Sequence, residues 1–349
     1  MPAMLRDRVT TAFGHVIAVF VAVLLCTYFV SMALGLFLFY ATPEGLDATS
    51  GHVAQLPVSA LMIVNFNIPF GASVGFFFLV IWLLFFGAFT YAWFDKPVFP
   101  SSLRDYVARL DVIRANYLVV LPQLASVVLV AVVLLQALQE SAGIQTGEIS
   151  FESPVVGFLA ISYAPLAEEF SYRITTIGLL DWLHLMRKRS QLPANQRGKG
   201  ALHLLLLTMW KPERAKELLG FNTIRNSGIM RGLSRFEWLV LMLTSGAFGA
   251  VHYLSGGGWQ IGKISTAMLS ALAMGFVYLR YGAFAPILLH WFFNYYLGVF
   301  DLASQLNLAG FDWVSLAVQL LNFGAGTLLA VVLLVVTVMR IWSTKHWRA

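Results

Sequence analysis

The sequence predicts an all-α, polytopic membrane protein, and both the composition and the spacing of the apolar runs indicate this fold class. The chain has 349 residues, of which 59% are hydrophobic and 11% are charged. Soluble globular proteins have about 45–50% apolar and about 25% charged residues, so this chain cannot cover its surface with polar side chains. These values exclude a soluble enzyme and a disordered tail. They also exclude a nucleic-acid-binding domain, because loops carry the net charge of +6.

Eight apolar stretches are long enough to cross a bilayer as helices. A hydrocarbon core about 30 Å thick requires about 20 mostly apolar residues in a helix. The first stretch is too long for a signal-peptide core and ends without a cleavage site, so we expect it to remain as an anchor. The predicted spans are residues 12–40, 70–93, 117–138, 155–180, 238–258, 262–280, 283–299 and 314–339.

Lys and Arg residues alternate between the predicted loops. The amino terminus carries two, the second loop four, the fourth loop from Arg187 to Arg235 eleven, the sixth loop one and the carboxyl terminus three. The opposite loops contain one basic residue, Lys263. The positive-inside rule therefore predicts that both termini are cytoplasmic. The opposite loops also contain acidic residues, namely Glu44, Asp47, Glu140, Glu148, Glu152, Asp301 and Asp312.

This topology divides the chain into three regions. Residues 1–154 form an amino-terminal three-helix membrane region, residues 155–299 a central membrane core, and residues 300–349 the final helix with a cytoplasmic tail. The core includes a basic loop, residues 184–235, that we expect to be solvated and attracted to anionic lipid headgroups. A specific partner site is the alternative for this loop. Its apolar stretch Leu204–Trp210 is a candidate for the membrane surface.

The fourth span contains three charged side chains, Glu168, Glu169 and Arg173. Inserting one charged residue at the bilayer centre costs about 2.5–3.5 kcal/mol, so each requires compensation. Glu169 and Arg173 are four residues apart with the acid first, which is the favourable order for an ion pair on one helix face. Glu168 points about 100° away from Glu169. A structural salt bridge therefore explains Glu169 and Arg173 but leaves Glu168 without a role.

Two histidines and an asparagine lie in the fifth and seventh spans. The fifth span contains Phe248 and His252, and the seventh contains His290 and Asn294. His290 and Asn294 are one helical turn apart, so we expect them to face one point. The rise per residue predicts that all these groups meet near the middle of the membrane or on its cytoplasmic side. Close approach of the fifth span to its neighbours is favoured by small residues, namely Gly246, Ala247, Gly249 and Ala250.

Two carboxylates, two imidazoles and an amide in a dry site permit proton transfer, metal binding or amide hydrolysis. For hydrolysis, Glu168 is a candidate general base for a water molecule, with His252 holding that water from the other side. His290 and Asn294 are candidate donors to the oxygen of an attacked carbonyl. The single cysteine, Cys26, lies in an apolar run and excludes a disulfide framework and a cysteine-based zinc site.

Three motifs occur in order along the chain: Glu168-Glu169-x-x-x-Arg173, Phe248-x-x-x-His252 and His290-x-x-x-Asn294. On three helices of an eight-span protein, they resemble the motifs of the CAAX-protease and bacteriocin-processing family, abbreviated CPBP or Abi. This family of intramembrane endopeptidases includes the Ras-converting enzyme. The resemblance covers roughly residues 155–299, and it does not extend to the first three spans or to the basic loop.

The resemblance implies a glutamate-dependent endopeptidase that cleaves a membrane-bound or lipidated peptide or protein without a cofactor. Glu168 and His252 would activate water, and His290 and Asn294 would form the oxyanion site. We expect such a protein in the cell membrane of a prokaryote or in the endoplasmic reticulum membrane of a eukaryote. Supporting positions would be Glu169, Arg173 and Phe248.

Three alternatives remain open from the sequence. Glu168, His252 and His290 are also an acceptable catalytic zinc set, with Glu169 as the base, although the compact His-Glu-x-x-His signature is absent. A non-catalytic membrane scaffold or immunity protein would retain the same fold. A proton-coupled transporter would also place Glu and His within spans, but inverted repeats and broken helix pairs are not evident.

Overall fold

The computed structural model describes residues 3–192 and 200–346 and is built mainly of helices. Part of the predicted basic loop, residues 193–199, and the end of the predicted tail lie outside the described residues. The helices are α1 (Ala3–Ala41), α2 (Pro43–Ser50), α3 (Val74–Phe94), α4 (Phe99–Arg109), α5 (Tyr117–Ser141), α6 (Pro154–Glu169), α7 (Gly178–Ser190), α8 (Ala201–Trp210), α9 (Pro212–Leu218), α10 (Ile224–Ser227), α11 (Ile229–Gly232), α12 (Arg235–Leu254), α13 (Gly262–Tyr281), α14 (Phe284–Trp291), α15 (Leu297–Gln305) and α16 (Phe311–His346).

The chain forms an all-α, multi-pass membrane fold with little sheet. Five helices in the described part of the chain are long and apolar enough to cross a bilayer: Thr11–Ala41, Val74–Phe94, Tyr117–Ser141, Gly262–Tyr281 and Phe311–Val332. The other three predicted spans overlap helical residues 154–190, 235–254 and 284–305. These three stretches carry the polar side chains of the three motifs.

Two π-helical segments interrupt the stretches that carry the first and third motifs. The first π segment, Phe170–Ile177, joins α6 to α7, and the second, Phe292–Tyr296, joins α14 to α15. In the first, the hydroxyls of Thr175 and Thr176 both donate to the carbonyl oxygen of Ser171, at 2.9 and 2.7 Å. Side-chain donors that compete for a backbone acceptor in this way distort a helix. Each segment widens the helix locally and changes the direction of the side chains that follow, as π-bulges do.

An aromatic cluster packs around the second π segment and joins it to α1, α3 and α16. The ring of Trp291 lies 4.9 Å from the ring of Phe89. The hydroxyl of Tyr296 hydrogen-bonds to Thr27 and to Asn322, each at 2.9 Å. Because lipid offers no hydrophobic driving force between helices, such packing and interhelical hydrogen bonds must hold them together. These contacts fix the position of α14 and the segment that follows it.

A two-stranded antiparallel hairpin lies between the first two spans, where the sequence analysis expects only a loop. Its strands are β1 (His52–Ala60) and β2 (Val64–Ser73), with His52 opposite Ser73 and Ala60 opposite Val64. The prediction that the second span begins at residue 70 is wrong by four residues, because Phe70–Ser73 belong to β2. The tip of the hairpin lies against the first π segment.

Residues 200–234, the described part of the predicted basic loop before α12, are folded, which differs from the expected solvated loop. We call the end of the helix bundle that carries this segment the basic end, and the other end the opposite end. Ion pairs join several of the basic residues to neighbouring elements. These pairs are Lys216–Glu237 at 2.8 Å, Arg280–Glu213 at 2.6 Å and Lys211–Asp95 at 2.6 Å.

Helix α8 contains the apolar stretch that is a candidate for the membrane surface. Leu202, Leu206 and Trp210 are exposed, whereas Leu204 is buried against the protein. The exposed residues are four apart and share one helix face. An apolar exposed face is typical of a helix that lies in the interface, and the membrane-surface assignment stays a prediction.

Candidate active site

Two adjacent glutamates end α6, and their surroundings differ. The side chain of Glu169 is fully buried, whereas that of Glu168 is 33% exposed. Arg173 Nη1 lies 3.0 Å from Glu169 Oε1, which confirms the pairing that the spacing predicts. Arg173 also donates to the carbonyl oxygen of Ala271 at 3.3 Å, and its guanidinium carbon lies 4.5 Å from the ring centre of Phe248. Glu169 is therefore held by its cation, while Glu168 stays accessible.

His290 lies between the two carboxylates. Its Nδ1 is 2.8 Å from Glu169 Oε1, and its Nε2 is 3.9 Å from Glu168 Oε2, which is longer than a hydrogen bond. Beside Arg173, Glu169 is an ionised acceptor, so we assign the Nδ1 proton to His290 as the donor. Nε2 is then an acceptor in the neutral ring and a donor in the imidazolium. With both glutamates ionised, one further positive charge on His290 makes the cluster of four side chains neutral.

The second motif lies beside this cluster on α12. The ring of Phe248 is 6.1 Å from the ring of His290 and 4.6 Å from the ring of His252. His252 Nδ1 hydrogen-bonds to the carbonyl oxygen of Phe248 at 2.7 Å, which leaves Nε2 free to accept a proton. His252 also interacts electrostatically with Glu168 and His290. The structure therefore brings residues from all three motifs into one cluster.

Close packing of α12 and α13 places the start of α13 at this cluster. At Gly249, a Cβ atom would collide with the carbonyl oxygen of Ile264, so glycine is required for this approach. The expectation that small residues bring the fifth span close to a neighbour is therefore confirmed at Gly249. At Gly246, a Cβ atom would meet open space.

Asn294 lies within the second π segment and contacts α6. Its Nδ2 donates to the carbonyl oxygen of Ile161 at 2.9 Å. The expectation that Asn294 and His290 face one point rests on α-helical spacing, which the π segment changes. Its Oδ1 and a second N–H have capacity for another partner, because an amide offers two donors and one acceptor.

Lys263 is a residue of this region that the sequence analysis did not select. Its Nζ lies 3.7 Å from the ring centre of Trp259, and its charge interacts with Glu168. The available signal was that Lys263 is the one basic residue in the loops opposite the basic ones. Lys263 is the second residue of α13, and His252 lies two residues before the end of α12. His252 and Lys263 therefore lie close to the α12–α13 turn at the opposite end, whereas Arg173 contacts the middle of α13 at Ala271.

The described residues do not form a metal site as they are arranged. No group of three or more His, Cys, Asp or Glu side chains in the described ranges is placed to hold a metal ion. The zinc set suggested by the sequence requires Glu168, His252 and His290 to direct lone pairs at one point. In each imidazole Nδ1 is bound, by Glu169 and by the carbonyl of Phe248, so Nε2 is the nitrogen that could bind a metal.

Comparison with known families identifies the region that carries these residues. Residues 150–296 match the family model described as type II CAAX prenyl endopeptidase, Rce1-like. This range includes all three motifs, so the resemblance stated from the motifs is confirmed over that stretch. No curated protein and no solved structure matches the chain.

Proposed function

We propose that this multi-pass membrane protein hydrolyses a peptide bond within the membrane, since residues 150–296 match the Rce1-like model of type II CAAX prenyl endopeptidases. The observation that carries the proposal is the placement of His290 between Glu168 and Glu169. This arrangement provides a partly exposed carboxylate, a fixed imidazole and a compensating cation in one site. A scaffold that only binds partners has no need for a buried charge cluster with one accessible acid.

Glu168 is the proposed general base. Its side chain is the more exposed of the two acids, and its buried Oε2 has no hydrogen-bond partner among the described residues, so this carboxylate has unused acceptor capacity. It is therefore available to take a proton from water as that water attacks the carbonyl carbon of the substrate. His252 Nε2 accepts a hydrogen bond from the same water and orients it.

His290 is the proposed oxyanion donor, in its imidazolium form. Glu169 holds Nδ1 and stabilises the positive charge, so Nε2–H can donate to the oxygen that gains charge in the tetrahedral intermediate. The second N–H of Asn294 is the other proposed donor. When the intermediate collapses, the carbon–nitrogen bond breaks and the proton held by Glu168 passes to the leaving amine.

The proposal includes the topology of the chain and the class of its substrate. We infer eight spans with both termini in the cytoplasm, from the alternation of Lys and Arg between loops. The substrate is a membrane-bound or lipidated peptide or protein, since the three motifs lie within apolar helical stretches. Prenylated CAAX proteins are the substrate class suggested by the family description. The membrane is the cell membrane in a prokaryote or the endoplasmic reticulum in a eukaryote.

The test is proteolysis by the purified protein in detergent. We would incubate it with an S-farnesylated peptide that ends in a CAAX sequence and with a library of membrane peptides, and identify products by mass spectrometry. Wild type should cleave at least one substrate and Glu168→Gln none. Glu152→Gln is the matched control, because Glu152 is exposed and lies outside the cluster. Equal cleavage by Glu168→Gln and wild type, or no cleavage by wild type, would overturn the proposal.

A further inference from the structure

The hairpin formed by β1 and β2 has one edge that other elements leave free. In the pairing, Pro57 lies opposite Asn67 and Gln55 lies opposite Pro69. Proline has no N–H, so these two pairs occupy non-hydrogen-bonded positions, where backbone groups point away from the partner strand. The hydroxyl of Tyr163 donates to the carbonyl oxygen of Pro57 at 2.9 Å, which places the outer edge of β1 against α6.

The outer edge of β2 has no such cover. By the same alternation, the backbone N–H and C=O groups of Asn65 and Asn67 point outward from this edge. Residues 64–69 are all exposed, and none of their backbone groups has a hydrogen bond to another element of the described chain. Such an edge presents unpaired N–H and C=O groups that can pair with another extended chain.

The tip of the hairpin is fixed to the helix that carries the glutamates. The N–H of Leu61 donates to Thr175 Oγ1 at 2.9 Å, and the N–H of Met62 donates to Ser171 Oγ at 3.2 Å. Leu61 and Met62 both have positive φ, at 54° and 65°, a conformation that side chains other than glycine rarely adopt. The strained turn is therefore held by specific bonds to the first π segment. Ser171 follows Glu168 by three residues, so Met62 contacts a residue about one helical turn from the proposed base. The inner end of β2, at Val64, follows two residues later.

The tip also contributes to the wall of the site. Met62 packs against a buried cluster that includes Tyr172 and Phe248. Phe248 in turn contacts the rings of His252 and His290. A chain that runs along β2 and past the tip would therefore arrive at the cluster of glutamates and histidines. Each residue of such an extended chain advances about 3.3 Å.

We propose that the free edge of β2, Val64–Ile68, binds an extended segment of the substrate as an added strand and directs the scissile bond to Glu168. This inference rests on the proposed peptidase function. Backbone groups of Asn65 and Asn67 supply the hydrogen bonds, as in other cases of strand addition. The occupant is the substrate peptide and not a second copy of the chain, because the inner end of the edge leads into the site.

The first experiment removes one backbone donor from this edge. Asn67→Pro deletes the outward N–H at a non-hydrogen-bonded position, as Pro57 and Pro69 already do, so the hairpin pairing is retained. With the S-farnesylated CAAX peptide, we expect KM to rise about tenfold with little change in kcat, the effect of one hydrogen bond. Asn67→Thr keeps the N–H and should raise KM less. Glu152→Pro controls for an exposed proline substitution away from the hairpin.

The second experiment acts on the substrate and does not depend on folding of a variant. Peptides N-methylated at successive residues upstream of the scissile bond should lose affinity at every second position, since alternate N–H groups of a strand face its partner. A uniform response to N-methylation, or a KM for Asn67→Pro equal to that of Asn67→Thr, would overturn strand addition and leave the peptidase function intact. A dimer of the wild type in detergent that Asn67→Pro dissociates would assign the edge to a second copy and also overturn it. No cleavage of the peptide or library by wild type would instead reject the proposed function and this inference with it.

Discussion

His290 Nδ1 lies 2.8 Å from Glu169 Oε1, and this contact joins the third motif to the first. The same carboxylate oxygen accepts from Arg173 at 3.0 Å. A buried carboxylate that binds both Arg173 and His290 fixes the orientation of the imidazole and holds the proton on its Nδ1. The two adjacent glutamates therefore have separate proposed tasks, Glu169 in positioning His290 and Glu168 in proton transfer.

The separate tasks of Glu168 and Glu169 give a first prediction, which concerns turnover. Glu168→Gln should lower kcat at least about 10²-fold, because Gln keeps the shape of the side chain but cannot accept a proton. The measurement is peptide cleavage together with a melting curve in detergent. His252→Ala should behave similarly. If Glu168→Gln keeps near-normal kcat, the base has been assigned to the wrong residue.

Stability is the second quantity, and it concerns the Arg173–Glu169 pair. Arg173→Ala leaves a buried carboxylate without its guanidinium, a change that costs about 3–5 kcal/mol at buried pairs. The double variant Glu169→Gln with Arg173→Ala should recover part of that loss, because no uncompensated charge remains. Melting temperatures in detergent compare both with wild type. Equal melting of the two variants and wild type would contradict the pair.

His290 gives a third prediction, which separates transition-state from ground-state effects. His290→Ala should lower kcat about 10²-fold with little change in KM, since an oxyanion donor acts mainly in the transition state. An increase in KM alone would place His290 in substrate binding. Elemental analysis of active protein belongs with this test. One zinc per chain, with activity lost to a chelator and restored by zinc, would recast His290 as a metal ligand.

Topology is the fourth prediction, and it decides which compartment the site faces. The native thiol Cys26 is first replaced by Ser. Met230, at the basic end, is 80% exposed. Met230→Cys should react with an impermeant maleimide only after the cells are opened. Ser255→Cys, in the α12–α13 turn beside the site, should react in intact cells. The reverse labelling pattern would invert the orientation.

Asp181 gives a fifth prediction, on pH and stability. It lies beyond residue 180, where the predicted fourth span ends, and is buried without a hydrogen-bond partner for either oxygen among the described residues. Burial raises the pKa of Asp181 from 3.8 to about 8, with the nearby charge of Glu237 adding to the increase. Because this pKa is higher in the folded state, stability should fall as the pH rises from about 4 to about 8.

The check is the melting temperature as a function of pH. Asp181→Asn mimics the neutral acid and should flatten the pH dependence, with the largest gain over wild type at pH 8. Asp105→Asn is the control at an exposed aspartate. A parallel decline in Asp181→Asn and wild type would show that another group causes the pH dependence.

The sequence alone determined the membrane class, the ion pair and the set of candidate residues. Apolar content decides whether a chain can be solvated by water, and this requires no knowledge of its packing. The spacing of Glu169 and Arg173 within one helix likewise fixes their contact, because positions four apart are neighbours on its surface. Small residues allow the backbones of two helices to approach closely, so Gly249 could be predicted from the sequence as a point of close approach.

Tertiary structure decided the contacts that depend on distant segments or on departures from ideal geometry. The second π segment changed the direction of Asn294, and no helical periodicity in the sequence encodes such a change. Lys263 came to the site because α12 and α13 pack closely at Gly249. The hairpin has alternating side chains, but it lies between two apolar spans and contains two prolines, so it resembled a loop. Its position beside Ser171 depends on hydrogen bonds between residues more than 100 apart, which local patterns cannot specify.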